Sequence, residues 1–118
     1  MSLSSYQDLE AWKKARMVSR EVGKIARQLP KYEQYGLASQ LRDAAASVPA
    51  NISEGYGRGS RKDYLHFLDI ARGSNNEVQS HLFTCVDFEY MSDGDIQNAL
   101  LLSYEVGRLL TRLIESLK

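Results

Sequence analysis

Cysteine occurs once in the 118 residues, proline twice and glycine eight times. A single thiol excludes an internal disulfide framework and a four-thiolate zinc site. So few turn formers argue against a many-stranded sandwich or barrel, which spends a turn about every 8–12 residues. Long apolar runs are missing too. Ala99–Leu102 is typical of the longest, against the roughly 18 residues that a membrane span needs. Met1–Glu10 is polar and acidic, without the basic-then-apolar order of a secretory signal. These absences predict a cytoplasmic protein without a membrane partner.

What is present suits one packed domain, residues 1–118. Hydrophobic residues make up 43% and charged residues 25%, which supports a core and argues against disorder. The net charge is zero, but its distribution is uneven. Residues 11–62 hold eleven Lys or Arg against four Asp or Glu, a surplus of +7, while residues 63–118 hold four against nine, or −5. Such a split suggests a face made for polyanions or an acidic partner. It is also what two halves that neutralise each other, within the fold or between subunits, would show.

Four segments carry helical periodicity, and short marked breaks separate them. The first, about Gln7 to Leu29, ends at Pro30, whose missing amide and ring stop a helix. Ala11, Ala15, Val18, Val22, Ile25, Ala26 and Leu29 share one face. Lys13, Arg16, Arg20, Lys24 and Arg27 fall on the opposite face within an arc of roughly 80°. The row continues to Lys31, and no Glu–Lys pair at four-residue spacing dilutes it. The second segment, about Tyr35 to Gly55, has an apolar stripe from Leu37 to Ile52, and Pro49 inside it should kink it. Gln40, Ser47, Asn51 and Glu54 flank that stripe and are expected to hydrogen-bond across to another helix.

Gly55, Gly57 and Gly59 make a turn, and Ser60 with Asp63 reads as a capping box for the third helix, about Arg61 to Met91. Its stripe runs from Tyr64 through Asn75 and Cys85 to Val86. Ser92 and Asp95 cap a fourth helix, about Asp95 to Leu117. Its apolar residues span roughly 180°, more than a bundle core uses, which points to self-association. Four helices of similar length on short turns give an all-α, antiparallel up-down-up-down four-helix bundle. In that topology the second turn, with Arg58, Arg61 and Lys62, lies at the same end as Lys13. Row and cluster then form one surface for phosphates, with Tyr56 placed to stack on a base.

Catalytic and metal constellations are not found. A two-metal bundle site needs Glu-x-x-His on each of two helices, but both histidines, His66 and His81, lie on the third. Arg61 and His66 fit an Arg-x4-His pattern that resembles the HEPN ribonucleases, in which His is the base and Arg stabilises the phosphate. It is a short pattern that chance readily produces. Cys85 on the core stripe reads as a small hydrophobe. The residues thus imply no cofactor, no metal and no small-molecule substrate.

Three longer motifs carry a resemblance. They are YQDLEAW over residues 6–12, YGLASQLRDAAASVPANISEG over 35–55, and FLDIARGS over 67–74 with Glu77 after it. Together they resemble the bacterial four-helix bundle family encoded in intervening sequences of large-subunit ribosomal RNA genes. That family is similar to the accessory protein of diversity-generating retroelements, a pentameric barrel whose basic surface engages a reverse transcriptase and nucleic acid. The resemblance implies a bundle, a homopentamer, no catalytic activity, and RNA or a reverse-transcriptase-like protein as partner. Its polar positions, Gln40, Asn51, Glu54 and Glu77, read as interhelical hydrogen-bonding groups. Arg42 stands where the family has a base, and Asp43 where a second base is common. The expected function is RNA or nucleic-acid-enzyme binding through Lys13, Arg16, Arg20, Lys24, Arg27, Lys31, Arg58, Arg61 and Lys62. The alternative is a protein-interaction scaffold without nucleic-acid affinity.

Overall fold

A computed structural model describes residues 5–118. They form four helices: α1 (Glu10–Gln28), α2 (Leu37–Tyr56), α3 (Arg61–Asp87) and α4 (Asp93–Leu117). Each packs on its chain neighbours, and α1 closes the ring against α4, while the diagonal helices do not approach closely through their backbones among the described residues. The result is an elongated four-helix bundle of 44 × 24 × 21 Å. Its axis is filled by side chains from all four stripes, among them Val18, Val22, Leu41, Ile52, Leu68, Leu82, Ile96 and Leu110. Burying each such side chain stabilises the fold by about 1.5–3 kcal/mol.

The helix starts and stops follow local chemistry. Tyr6–Asp8 is a single 3-10 turn, capped where Ser5 Oγ accepts from the Gln7 amide. Leu9 is then extended and buried, so α1 begins at Glu10 and not at Gln7. At the other end Leu29 is extended ahead of Pro30. Gln34 Nε2 donates to the Ala26 and Leu29 carbonyls, at 2.9 and 3.0 Å, and so closes the C-terminus of α1. Arg42 donates to the Gln34 carbonyl (3.2 Å) and Oε1 (3.4 Å). That cation is occupied by the connection.

Helix α2 continues through Pro49. A proline cannot donate to the carbonyl four residues earlier, here that of Ala45. Ser19 Oγ of α1 donates to that same oxygen at 3.1 Å. The backbone group that Pro49 orphans is therefore satisfied from the neighbouring helix. The α2–α3 seam is tight. A methyl group on buried Gly55 would stand 2.8 Å from Phe67 Cβ, so glycine is required there.

Helix α3 stops at Asp87, four residues before the expected Met91. Glu89 lies in the left-handed region at φ 64°. The Tyr90 amide donates to the Cys85 carbonyl (3.0 Å) and the Glu89 amide to that of Val86 (2.9 Å), which is the Schellman pattern. The chain thereby folds back, and Tyr90 Oη donates to Glu33 Oε2 at 2.7 Å. Ser60 Oγ accepts from the Asp63 amide, without the reciprocal half of the expected capping box. The full box is made at α4 by Ser92 and Asp95.

Candidate nucleic-acid interface

The apolar face of α1 sets where its cations point. Ala11, Ala15, Val18, Val22, Ile25 and Ala26 are buried in the bundle. Lys13, Arg16, Arg20, Lys24 and Arg27 are all exposed on the outer side, and Lys31 is exposed just beyond. The row is less pure in sign than its four-residue spacing suggested. Lys13 Nζ lies 3.4 Å from Glu10 and Lys24 Nζ 3.3 Å from Glu21, because residues three apart are also neighbours on a helix. Arg16 lies over the Trp12 ring, 5.1 Å from its centroid, and Trp12 packs edge-on against Tyr6. Neither Arg20 nor Arg27 has a described carboxylate within 4 Å.

The acidic half of the chain does not neutralise this face. Among the described residues one ion pair joins α1 to α3 or α4, between Lys14 and Glu105 at 3.5 Å, and Lys14 stands outside the row. Exposed pairs such as Lys13–Glu10 and Lys24–Glu21 are worth at most about 1 kcal/mol, so both lysines stay exchangeable toward a phosphate. In the middle of the face, Gly23 leaves a notch. With Met17, Ser19, Arg20, Lys24, Arg27 and Leu102 around it, and the Glu21 carboxylate also in its wall, the notch opens into a groove of about 580 Å³. A Cβ built on Gly23 would meet only the Arg27 guanidinium, at an ordinary 3.6 Å.

At the end of the bundle where α1 begins, the α2–α3 turn exposes Arg58, Arg61 and Lys62. Arg58 is held by Glu54 (3.1 Å) and lies 4.8 Å above the Phe67 ring. Tyr56 is partly engaged within the protein. Its ring is half-buried and packs edge-on against Tyr64, with centroids 6.1 Å apart. Arg108 and Arg112, both exposed on α4, belong to the same end. The Lys14–Glu105 pair sets the antiparallel register that places them there, and they follow Glu105 by three and seven residues, on its side of the helix. They are hidden in the sequence because the segment around them is acidic on balance.

The polar positions separate. Asn51 Nδ2 donates to Ser47 Oγ at 2.9 Å, and Ser47 Oγ lies 2.9 Å from Ser74 Oγ of α3, so a network crosses α2 to α3. Gln40 is exposed. Glu54 is taken by Arg58 of the turn that follows α2, and Glu77 by His81 at 3.1 Å within α3, so neither reaches across to another helix. The buried polar pair is a different one, Asn75 with Ser103, joined by half-buried Gln79. Asn75 Nδ2 donates to the Ser103 carbonyl (2.9 Å), Ser103 Oγ donates to Asn75 Oδ1 (2.8 Å), and Gln79 Nε2 donates to Ser103 Oγ (3.0 Å). Asn75 sits on the apolar stripe of α3, and a polar residue on such a stripe is the signal that points to this network.

Arg61 and His66 are both exposed, but five helical residues separate them by about 140° around α3. They do not converge on one phosphate within a protomer. His66 rests against the Phe67 ring instead. Cys85 is buried, and desolvation pushes its thiol above the ordinary range. Among the described residues no three His, Cys, Asp or Glu side chains gather to hold a metal ion. No described helix is long and apolar enough to cross a membrane.

Comparison with known proteins agrees with this architecture. The family model of the 23S rRNA-intervening sequence proteins matches residues 7–112. No curated protein matches the chain. Among solved structures, a protein of unknown function from the S23 ribosomal protein family of Bacteroides thetaiotaomicron superposes with a TM-score of 0.82. It shares 23% sequence identity, over 89% of this chain and 95% of that one, and so shows the same fold.

Proposed function

The chain belongs to the 23S rRNA-intervening sequence protein family, and on that premise we propose that it is a non-enzymatic, homo-oligomeric accessory bundle that binds RNA through the outer face of α1. The observation that carries this reading is the cationic row itself. Arg16, Arg20, Lys24, Arg27 and Lys31 face solvent along the outer side of α1 and just beyond it, and α3 and α4 supply no carboxylate to them. Arginines on phosphates supply affinity without reading sequence, through bidentate contacts and counterion release. Arg58, Arg61 and Lys62 extend the same surface at the end where α1 starts.

Reversing Arg16, Arg20 and Lys24 to Glu tests this. The triple variant should lose binding to a labelled RNA stem-loop in a mobility-shift assay while its helical circular dichroism stays unchanged. Binding that survives the reversal at moderate salt removes the α1 face from the account. One observation favours a protein partner instead. Met17, Leu101 and Tyr104 are exposed apolar residues on α1 and α4, chemistry suited to a second copy or to a nucleic-acid enzyme such as a reverse transcriptase. The scaffold reading expects no RNA shift at either low or moderate salt.

A further inference from the structure

Gly23 has no structural reason to be glycine. It lies inside a helix, where glycine is destabilising relative to alanine, and an added Cβ would meet nothing closer than an ordinary contact with Arg27. Gly55 differs, since Phe67 and Tyr64 occupy the place its side chain would need. The Arg27 guanidinium lies over Gly23 at ordinary contact distance, and the groove around it is lined by three cations of the α1 row together with Ser19 and the Glu21 carboxylate. Arg20 precedes it by almost one turn, Lys24 follows it, and Arg27 lies one turn on. Lys24 is shared with Glu21, while both arginines are unpaired. Met17 and Leu102 close the α4 side of the groove with apolar surface.

We infer that this notch is a nucleotide-binding site. It seats one phosphodiester of an RNA strand over Gly23, between the Arg20 and Arg27 guanidiniums, and Met17 with Leu102 carries the sugar and base of the same nucleotide. The absent side chain lets the phosphate approach the helix closely, and the two planar guanidiniums match its oxygens bidentately. The groove, about 580 Å³, is of a size that admits one such unit. This inference rests on the RNA-binding reading above and makes it local: one built position within a generally cationic face.

The test uses the full-length protein and the same labelled RNA stem-loop, followed by fluorescence anisotropy. Gly23→Leu fills the notch and leaves every charge in place. It should weaken binding by about tenfold or more, with helical circular dichroism and size-exclusion elution unchanged. A second comparison does not depend on how that variant folds. Arg20→Gln with Arg27→Gln should cost about tenfold more affinity than Arg16→Gln with Lys31→Gln, which removes the same charge elsewhere on the row. Equal losses from the two pairs, or wild-type affinity in Gly23→Leu, overturn the notch while RNA binding stands. A Gly23→Leu protein that changes its oligomeric size assigns the notch to another copy and also overturns it. Wild-type protein that binds no stem-loop removes both readings together.

Discussion

Single residues in this bundle are explained by partners that lie far away in the chain. Pro49 is plain in the sequence, and so is the helix bond it cannot make. Its remedy, the Ser19 hydroxyl at 3.1 Å from the Ala45 carbonyl, is 26 residues away. Ser19→Ala should leave that buried carbonyl unpaired and cost about 1–2 kcal/mol in chemical denaturation. In a Pro49→Ala background the restored amide serves the same oxygen, and Ser19→Ala should then be nearly neutral. Equal costs in both backgrounds would show that the two residues are not coupled. Gly55→Ala should destabilise by about 1–3 kcal/mol, the ordinary cost of overpacking, because Phe67 stands 2.8 Å from the added methyl. A melting curve decides it.

Elements in this fold are defined by their ends. Periodicity alone carries α3 to Met91, yet the helix stops at Asp87 because Glu89 turns left-handed and Tyr90 reaches back to Glu33. Glu89→Gly relieves the strained backbone and should stabilise the bundle by about 1 kcal/mol, seen as a raised denaturation midpoint. The Tyr90 contact has a pH signature. The hydrogen bonds from Tyr90 and then from the Leu37 amide hold the Glu33 carboxyl below its ordinary 4.5. Its contribution is therefore complete above that value and is lost as the pH falls through the lowered one. Tyr32 and the Glu33 carboxylate push the Tyr90 phenol up, so its part persists in neutral solution and fails only in strong alkali. Tyr90→Phe should lower the melting temperature at neutral pH, and the deficit should shrink on acidification past the Glu33 titration. A deficit constant with pH would dissociate the two groups.

For the molecule as a whole, the distribution of charge and apolar surface decides what it can meet. Part of the +7 surplus of residues 11–62 faces outward on α1, where, among the described residues, the acids of α3 and α4 make one ion pair, with Lys14. Helix α4 covers much of its wide apolar arc but leaves a strip with Leu101 53% exposed and Tyr104 38%, three residues apart on one side of the helix. If this strip is where copies meet, light scattering after size exclusion should give a multiple of 13.4 kDa, and Leu101→Glu should shift the protein toward monomer. A wild-type monomer at micromolar concentration would leave the strip without that role.

The sequence by itself determined the four helices, their antiparallel order, the buried stripes and the row of cations on α1. Each depends on spacing within one segment, and helical geometry converts spacing into faces. Only the tertiary structure decided which polar groups pair across helices. It selected Asn75 with Ser103 and Ser19 with Ala45, left Gln40 on the surface, and turned Tyr56 against Tyr64. It also brought Leu102 of α4 to the groove beside Gly23. Such choices depend on distances between residues far apart in the chain, set by the register and closeness of helix packing, and no pattern inside a single helix encodes them.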